Sequence, residues 1–170
     1  MLLCASGCPA PPCDAARTAA DPPRDAAGTA ADPAGRTLPS IELLTLEGSA
    51  VRLDAALSGR PAVVSLWATW CEACSSEFPA LERLSQRAQA KGGTVLAVAV
   101  GEPRQKVADF VRWRHLAYPQ LVDEKFALAD ALGEKRVPTT LVVDRHGRVV
   151  FTGGALDAPA IAALSAQIDR

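Results

Sequence analysis

Between residues 37 and 170 the chain alternates short apolar runs with stretches in which apolar residues return every three or four positions. Two runs are apolar almost throughout, Ala62–Trp67 (AVVSLW) and Thr94–Val100 (TVLAVAV). A half-exposed strand would alternate polar and apolar residues, so these two are predicted as central strands covered on both faces. From Cys71 to about Lys91, Phe78, Leu81, Leu84 and Ala88 recur at helical spacing, and Gly92-Gly93 stops the helix. Residues 105–115 read as a second helix, with Val107, Phe110, Val111 and Arg114 on related faces, and 126–132 as a third. Ala158–Ile168 is a last helix, with Asp157 as its N-cap. Residues 41–46 and 51–53, separated by Glu47-Gly48-Ser49, predict a β-hairpin. A single helical turn over 54–57 follows it and ends near Gly59. Residues 120–122 form a short strand. Residues 139–144 and 148–151 form a hairpin closed by Arg145-His146-Gly147, where the glycine supplies a positive φ. The order predicts an α/β sheet with helices on both faces.

The first 36 residues carry a different pattern. Residues 14–36 read DAARTAADPPR and then DAAGTAADPAGR, a near-repeat of alanine, proline and scattered charge. Such a stretch cannot bury enough surface to offset the entropy lost on ordering, so it is predicted as a disordered linker partly stiffened by proline. The chain therefore divides into residues 1–13, a linker over 14–36 and one domain over 37–170. The 49% hydrophobic and 22% charged content fits a globular domain of that size. Eighteen basic residues against nineteen acidic ones give a net charge of −1, which argues against a general nucleic-acid binder. No apolar run reaches the roughly 18–20 residues of a membrane-spanning helix.

The five cysteines fall into two groups. Cys4, Cys8 and Cys13 precede the linker, and the domain holds only Cys71 and Cys74. A disulfide framework is excluded, because the N-terminal three have no partners further along. The pair Cys71-Glu72-Ala73-Cys74 sits where a buried strand passes into a helix, the context in which CxxC carries redox chemistry. Two intervening residues let one helical turn hold both sulfurs within bonding distance. Cys71 falls at the helix N-terminus, where free backbone N–H groups and the helix dipole favour the thiolate that attacks disulfides. Cys74, one turn inside, is placed to resolve a mixed disulfide. A structural disulfide or half a zinc site would use the same spacing. Zinc needs two further ligands, for which the domain offers only His115, at a helix end, and His146, at a hairpin tip.

The block WATWCEACSSEFPAL resembles the active-site junction of the thioredoxin superfamily, and within it the TlpA/ResA-like thiol–disulfide oxidoreductases. Pro79, eight residues after Cys71, resembles that family's helix-kinking proline. Val137-Pro138-Thr139 resembles its cis-proline motif, and Gly154-Ala155-Leu156 the approach to its last helix. The resemblance spans nearly all of 37–170. It implies a thioredoxin-like fold, with the N-terminal hairpin and an inserted helix and strand around 103–123 as the branch's additions. It implies that Val137 and Pro138 face the cysteine pair across a substrate groove, with Trp70 shaping its wall. Trp67 is expected in the core or groove wall, and Trp113 in a structural role. Where thioredoxin carries a buried aspartate this chain has Ser65. The branch's glutamate three residues after the second cysteine is matched by Glu77, which implies a base for Cys74. Ala73 stands where most relatives have proline, which leaves redox potential and direction open. Glu72, beside Cys71, disfavours the thiolate and pushes towards a reductant.

A second resemblance concerns MLLCASGC, which is similar to the end of a bacterial lipoprotein signal and implies lipidation of Cys8. Together these imply a monomeric, extracytoplasmic thiol–disulfide oxidoreductase, which lipid on Cys8 would tether to the membrane. Its expected task is reducing disulfides of exported proteins, apocytochrome c for example, and a membrane thiol donor would re-reduce it. No cofactor or metal is called for, since the cysteines carry the electrons. A thiol peroxidase, a non-catalytic binding module and copper delivery are the competing readings.

Overall fold

The computed structural model of the protein describes residues 35–134 and 136–170. The readings for residues 1–34, lipidation of Cys8 among them, lie outside the described residues. The elements run β1 (Glu42–Thr45), β2 (Ala50–Arg52), α1 (Leu53–Leu57), β3 (Ala62–Trp67), α2 (Glu72–Ala90), β4 (Thr94–Val100), α3 (Arg104–Arg114), β5 (Gln120–Asp123), α4 (Ala127–Leu132), β6 (Thr139–Val143), β7 (Val149–Gly153) and α5 (Ala158–Ile168). The strands form one sheet in the order β2-β1-β5-β4-β3-β6-β7. The inner strands β3, β4 and β5 are parallel, and β6 joins β3 antiparallel. The N-terminal hairpin adds β1 to the outer edge of β5. This is the thioredoxin-like architecture with the hairpin and inserted αβ piece that the sequence predicts.

Every residue of β3 and β4 is buried, as a run without alternation requires. Period-two geometry then sorts their side chains to opposite faces. Val63, Trp67, Val95, Ala97 and Ala99 meet α2, α3 and α5 through Phe78, Leu81, Val107, Val111 and Leu164. Val64, Leu66, Leu96, Val98 and Val100 meet α1 and α4 through Leu53, Leu57, Leu128 and Leu132. Helix α2 runs past the interior Pro79 and ends at Gly92, whose φ of 82° only glycine adopts freely; the Gly93 N–H returns to the Ala88 carbonyl at 2.8 Å.

Most boundaries shift from the sequence reading by a residue or two, and two of the shifts rest on specific contacts. Gly35 and Arg36 already bond to Val149 of β7, at 2.7 and 2.8 Å, although the linker was expected to run through residue 36. Phe126, expected to open a helix, instead precedes it at φ 58°, with its ring packed over Gly101. The first turn of α4 is capped from further back, by the Asp123 carboxylate, which accepts the N–H groups of Ala127, Leu128 and Ala129.

Register decides what meets at the working end of the sheet. Trp67 is level with Ala99, and Leu66 with Thr139. The loop leaving β3, the loop leaving β4 and the segment leading into β6 therefore gather at one edge. Those three segments carry Cys71, Glu102 and Pro138 respectively. Ligand sites of parallel sheets form at this carboxyl end.

Candidate active site

The chain turns out of β3 with the Cys71 N–H on the Ala68 carbonyl at 3.1 Å, and Cys71 becomes the N-cap of α2. Its sulfur accepts the Cys74 N–H at 3.1 Å, so one of the orphan donors of the helix points at this atom. Cys71 and Cys74 are joined as a disulfide, with Cα atoms 5.2 Å apart. The two sulfurs are not equivalent. Cys71 is 6% exposed and Cys74 only 1%. An exchanging thiol must reach the Cys71 side of the bond first.

Trp70, immediately before the pair, is 70% exposed and stands out from the surface. Trp67 is fully buried, its ring edge-on to Phe78 at 5.2 Å and tilted on Phe110 at 5.5 Å. The Val137–Pro138 peptide bond is cis. The loop from β7 to α5 passes beside it, since a Cβ on Gly154 would sit 4.0 Å from the Pro138 carbonyl oxygen. Trp113, expected to be structural, is 69% exposed; it leans edge-on against Phe110 but presents most of its ring to solvent. Helix α3 turns Val107, Ala108 and Val111 to the core, which leaves Trp113 on its outer side.

Glu77 lies in the part of α2 that faces inward and is buried. Its Oε1 accepts the N–H of Leu156, in the loop leading into α5, at 3.0 Å. Its Oε2 has no hydrogen-bond partner among the described residues. Burial raises its pKa above the ordinary carboxylate value; the Leu156 N–H works against that rise, and the charge of Asp157 adds to it. Glu77 is therefore not a solvated surface glutamate. The geometry offers a carboxyl group, one turn from Cys74, that can hold a proton.

A second buried carboxylate was not anticipated. Glu102, in the loop between β4 and α3, accepts the Thr69 N–H and the Thr69 hydroxyl at 2.6 Å each, and pairs with Lys106 at 2.6 Å. Arg114, at the far end of α3, donates to the Ser75 carbonyl at 3.5 Å and lies over the Phe78 ring at 5.7 Å. The loop after β4 and the helix that follows it thus touch the chain on both sides of the cysteine pair. A residue pairing across 33 positions leaves no local pattern, although a glutamate beside the glycine that ends a buried strand was a place to look.

A thioredoxin-like sheet whose parallel strands end at a helix-capping CxxC disulfide defines a thiol–disulfide oxidoreductase. The comparisons with known proteins agree. The chain belongs to the redoxin family, whose family model matches residues 33–159, and it is of the ResA type within it. It is 35% identical over 121 residues to the thiol-disulfide oxidoreductase ResA of Geobacillus thermodenitrificans, covering 70% of this chain and 69% of that one. Among solved structures it is similar to a secreted thiol-disulfide isomerase from Corynebacterium glutamicum, at 28% identity and a TM-score of 0.69, covering 78% and 86% of the two chains. A thiol:disulfide interchange protein from Chlorobium tepidum matches at 25% identity and a TM-score of 0.64, covering 78% and 95%.

Proposed function

We propose that the protein works outside the cytoplasm as a reductase of disulfides in exported proteins, such as apocytochrome c during its maturation. The observation that carries the mechanism is the asymmetry of the pair: Cys71 caps α2 and is the more exposed of the two residues, whereas Cys74 is almost wholly buried. In the reduced protein the Cys71 thiolate attacks one sulfur of the substrate disulfide, and the other sulfur leaves with the bonding electrons. The Cys74 thiolate then attacks Cys71 Sγ. The substrate's second sulfur leaves as a thiolate, and two electrons have passed to the substrate. The protein ends with the Cys71–Cys74 bond, which a membrane thiol donor reduces again. Trp70 and the Val137–Pro138 segment flank the pair and hold the substrate chain. Glu77 takes the Cys74 proton.

The reducing direction is supported by the charges around the pair. Glu72 is exposed next to Cys71, and Glu77 is buried three residues after Cys74. Negative charge disfavours thiolates, and a strong oxidant is one whose reduced form is stabilised. The location is supported by the Corynebacterium relative, which is named as secreted. Lipid attachment at Cys8 would tether the domain to the membrane, where its donor resides.

The deciding experiment is the reduction potential of the pair, followed by tryptophan fluorescence in dithiol/disulfide buffers. A value near that of thioredoxin, about −270 mV, is expected; a value near −120 mV would make the protein an oxidant. A pair that never equilibrates would leave only a binding module.

Glu77→Gln separates the chemistry of Glu77 from its packing. Gln keeps an acceptor for the Leu156 N–H but cannot take a proton. Resolution of the mixed disulfide should slow by about 10²-fold at neutral pH, read by stopped-flow fluorescence. The same variant should gain stability. The raised pKa means the folded state holds a proton more tightly than the unfolded one, so wild-type stability falls as pH rises above the ordinary value of 4.5. The Tm difference between variant and wild type should therefore open above pH 4.5 and be absent below it. A variant with unchanged resolution rate would remove Glu77 from the mechanism.

A further inference from the structure

Glu102 contributes nothing to either hydrophobic core, yet it is only 4% exposed. Burying a carboxylate is costly unless its oxygens are satisfied, and here both are. Oε2 accepts the Thr69 N–H, and Oε1 accepts both the Thr69 hydroxyl and the Lys106 ammonium, all at 2.6 Å. These bonds outweigh the effect of burial, which alone would raise the pKa, and hold the carboxyl below its ordinary value. Of its three donors, two belong to one residue, Thr69, which lies in the loop between β3 and Cys71. Register puts the two loops side by side, since β3 and β4 are parallel and Trp67 is level with Ala99. Lys106, one turn into α3, is half exposed and needs no help from the carboxylate to be solvated. The arrangement grips the segment Thr69-Trp70-Cys71 from below and leaves Trp70 facing outward.

We propose that Glu102 is a positioning residue for the dithiol: by clamping Thr69 through two hydrogen bonds it fixes Trp70 and Cys71 relative to Cys74. The inference rests on the reading of Cys71 and Cys74 as an exchanging pair, but not on the direction of exchange. In the oxidised protein the disulfide itself fixes the loop. In the reduced protein the clamp takes over that task. It keeps the two thiols close, which raises their effective concentration towards one another and favours the closed disulfide. Releasing the clamp makes the disulfide easier to reduce. It also frees Trp70, so a protein substrate loses a fixed surface on which to dock, while a small disulfide does not.

The test is the equilibrium constant for forming the Cys71–Cys74 bond from oxidised glutathione. Glu102→Gln should lower it about 10-fold, a rise in potential of about 30 mV. Glu102→Gln also deletes a charge, and Thr69→Val separates the two effects. It removes only the hydroxyl bond and should lower the constant about threefold, while Thr69→Ser, which restores the hydroxyl, should return it to the wild-type value. In steady state, Glu102→Gln should raise KM for a protein disulfide several-fold more than KM for a small one. Thr69→Val carries the test if Glu102→Gln does not fold. If both variants lose thermal stability while the constant stays within twofold of wild type, Glu102 is a structural residue and the proposal fails. A wild-type pair that does not exchange at all would instead defeat the oxidoreductase mechanism, a distinguishable outcome.

Discussion

Cys74→Ala protein, reduced and mixed with a disulfide substrate, will accumulate a covalent adduct through Cys71, and Cys71→Ala protein will form none through Cys74. The two sulfurs differ in what reaches them. Cys71 is the more exposed of the two residues, at the helix N-terminus and with a backbone N–H directed at its sulfur. Cys74 is sealed beneath it. Without Cys74 the first exchange proceeds, but no internal thiol expels the substrate, so the mixed disulfide persists. Without Cys71 the buried thiol meets no substrate, and turnover should fall by at least about three orders of magnitude, as for loss of a nucleophile. Non-reducing electrophoresis measures the adduct, and peptide mass mapping must place it on Cys71 rather than on Cys4, Cys8 or Cys13. Adducts formed by the Cys71→Ala variant through Cys74 would reverse the assigned roles.

The largest loss of stability is expected at Trp67. Its ring lies between the end of β3, the first half of α2 and the middle of α3, in contact with Phe78 and Phe110. Those two rings also meet one another at 6.2 Å, so the three form a closed aromatic cluster under the active site. Trp67→Ala empties its centre and should cost about 3–5 kcal/mol. That is a large part of the roughly 5–15 kcal/mol that holds an ordinary domain together. Denaturant unfolding of the oxidised protein checks it. A loss below about 1 kcal/mol would mean that the cluster collapses onto the gap and that the tryptophan is not the keystone described.

The parts of this fold legible in the sequence are those set by local pattern. β3 and β4 were found to the residue because strands buried on both faces read as unbroken apolar runs. α2 was legible because only one of its faces is buried, and Gly92 marked its end. The cis bond at Pro138 was expected from resemblance, not from any property of the surrounding residues. What escaped depends on contacts distant in the chain. The burial of Glu77 is decided by Leu156, 79 residues away, so helical spacing could place it near Cys74 but could not say whether water reached it. Glu102 meets Thr69 across 33 residues through strand register alone. Phe126 adopts a left-handed backbone that few non-glycine residues take, and Asp123 does the capping that a reader seeks one residue before the helix.

The stretch from Glu102 to the end of α3 reaches the segment before Cys71 through Glu102 and the segment after Cys74 through Arg114. An added element with contacts at only one place could be shortened, exchanged or lost without consequence for the chemistry. One that spans the reactive pair cannot. Variation in residues 102–114 should therefore change redox behaviour without altering the CxxC sequence itself, and chimaeras that exchange this segment between relatives should inherit the donor's potential along with its helix.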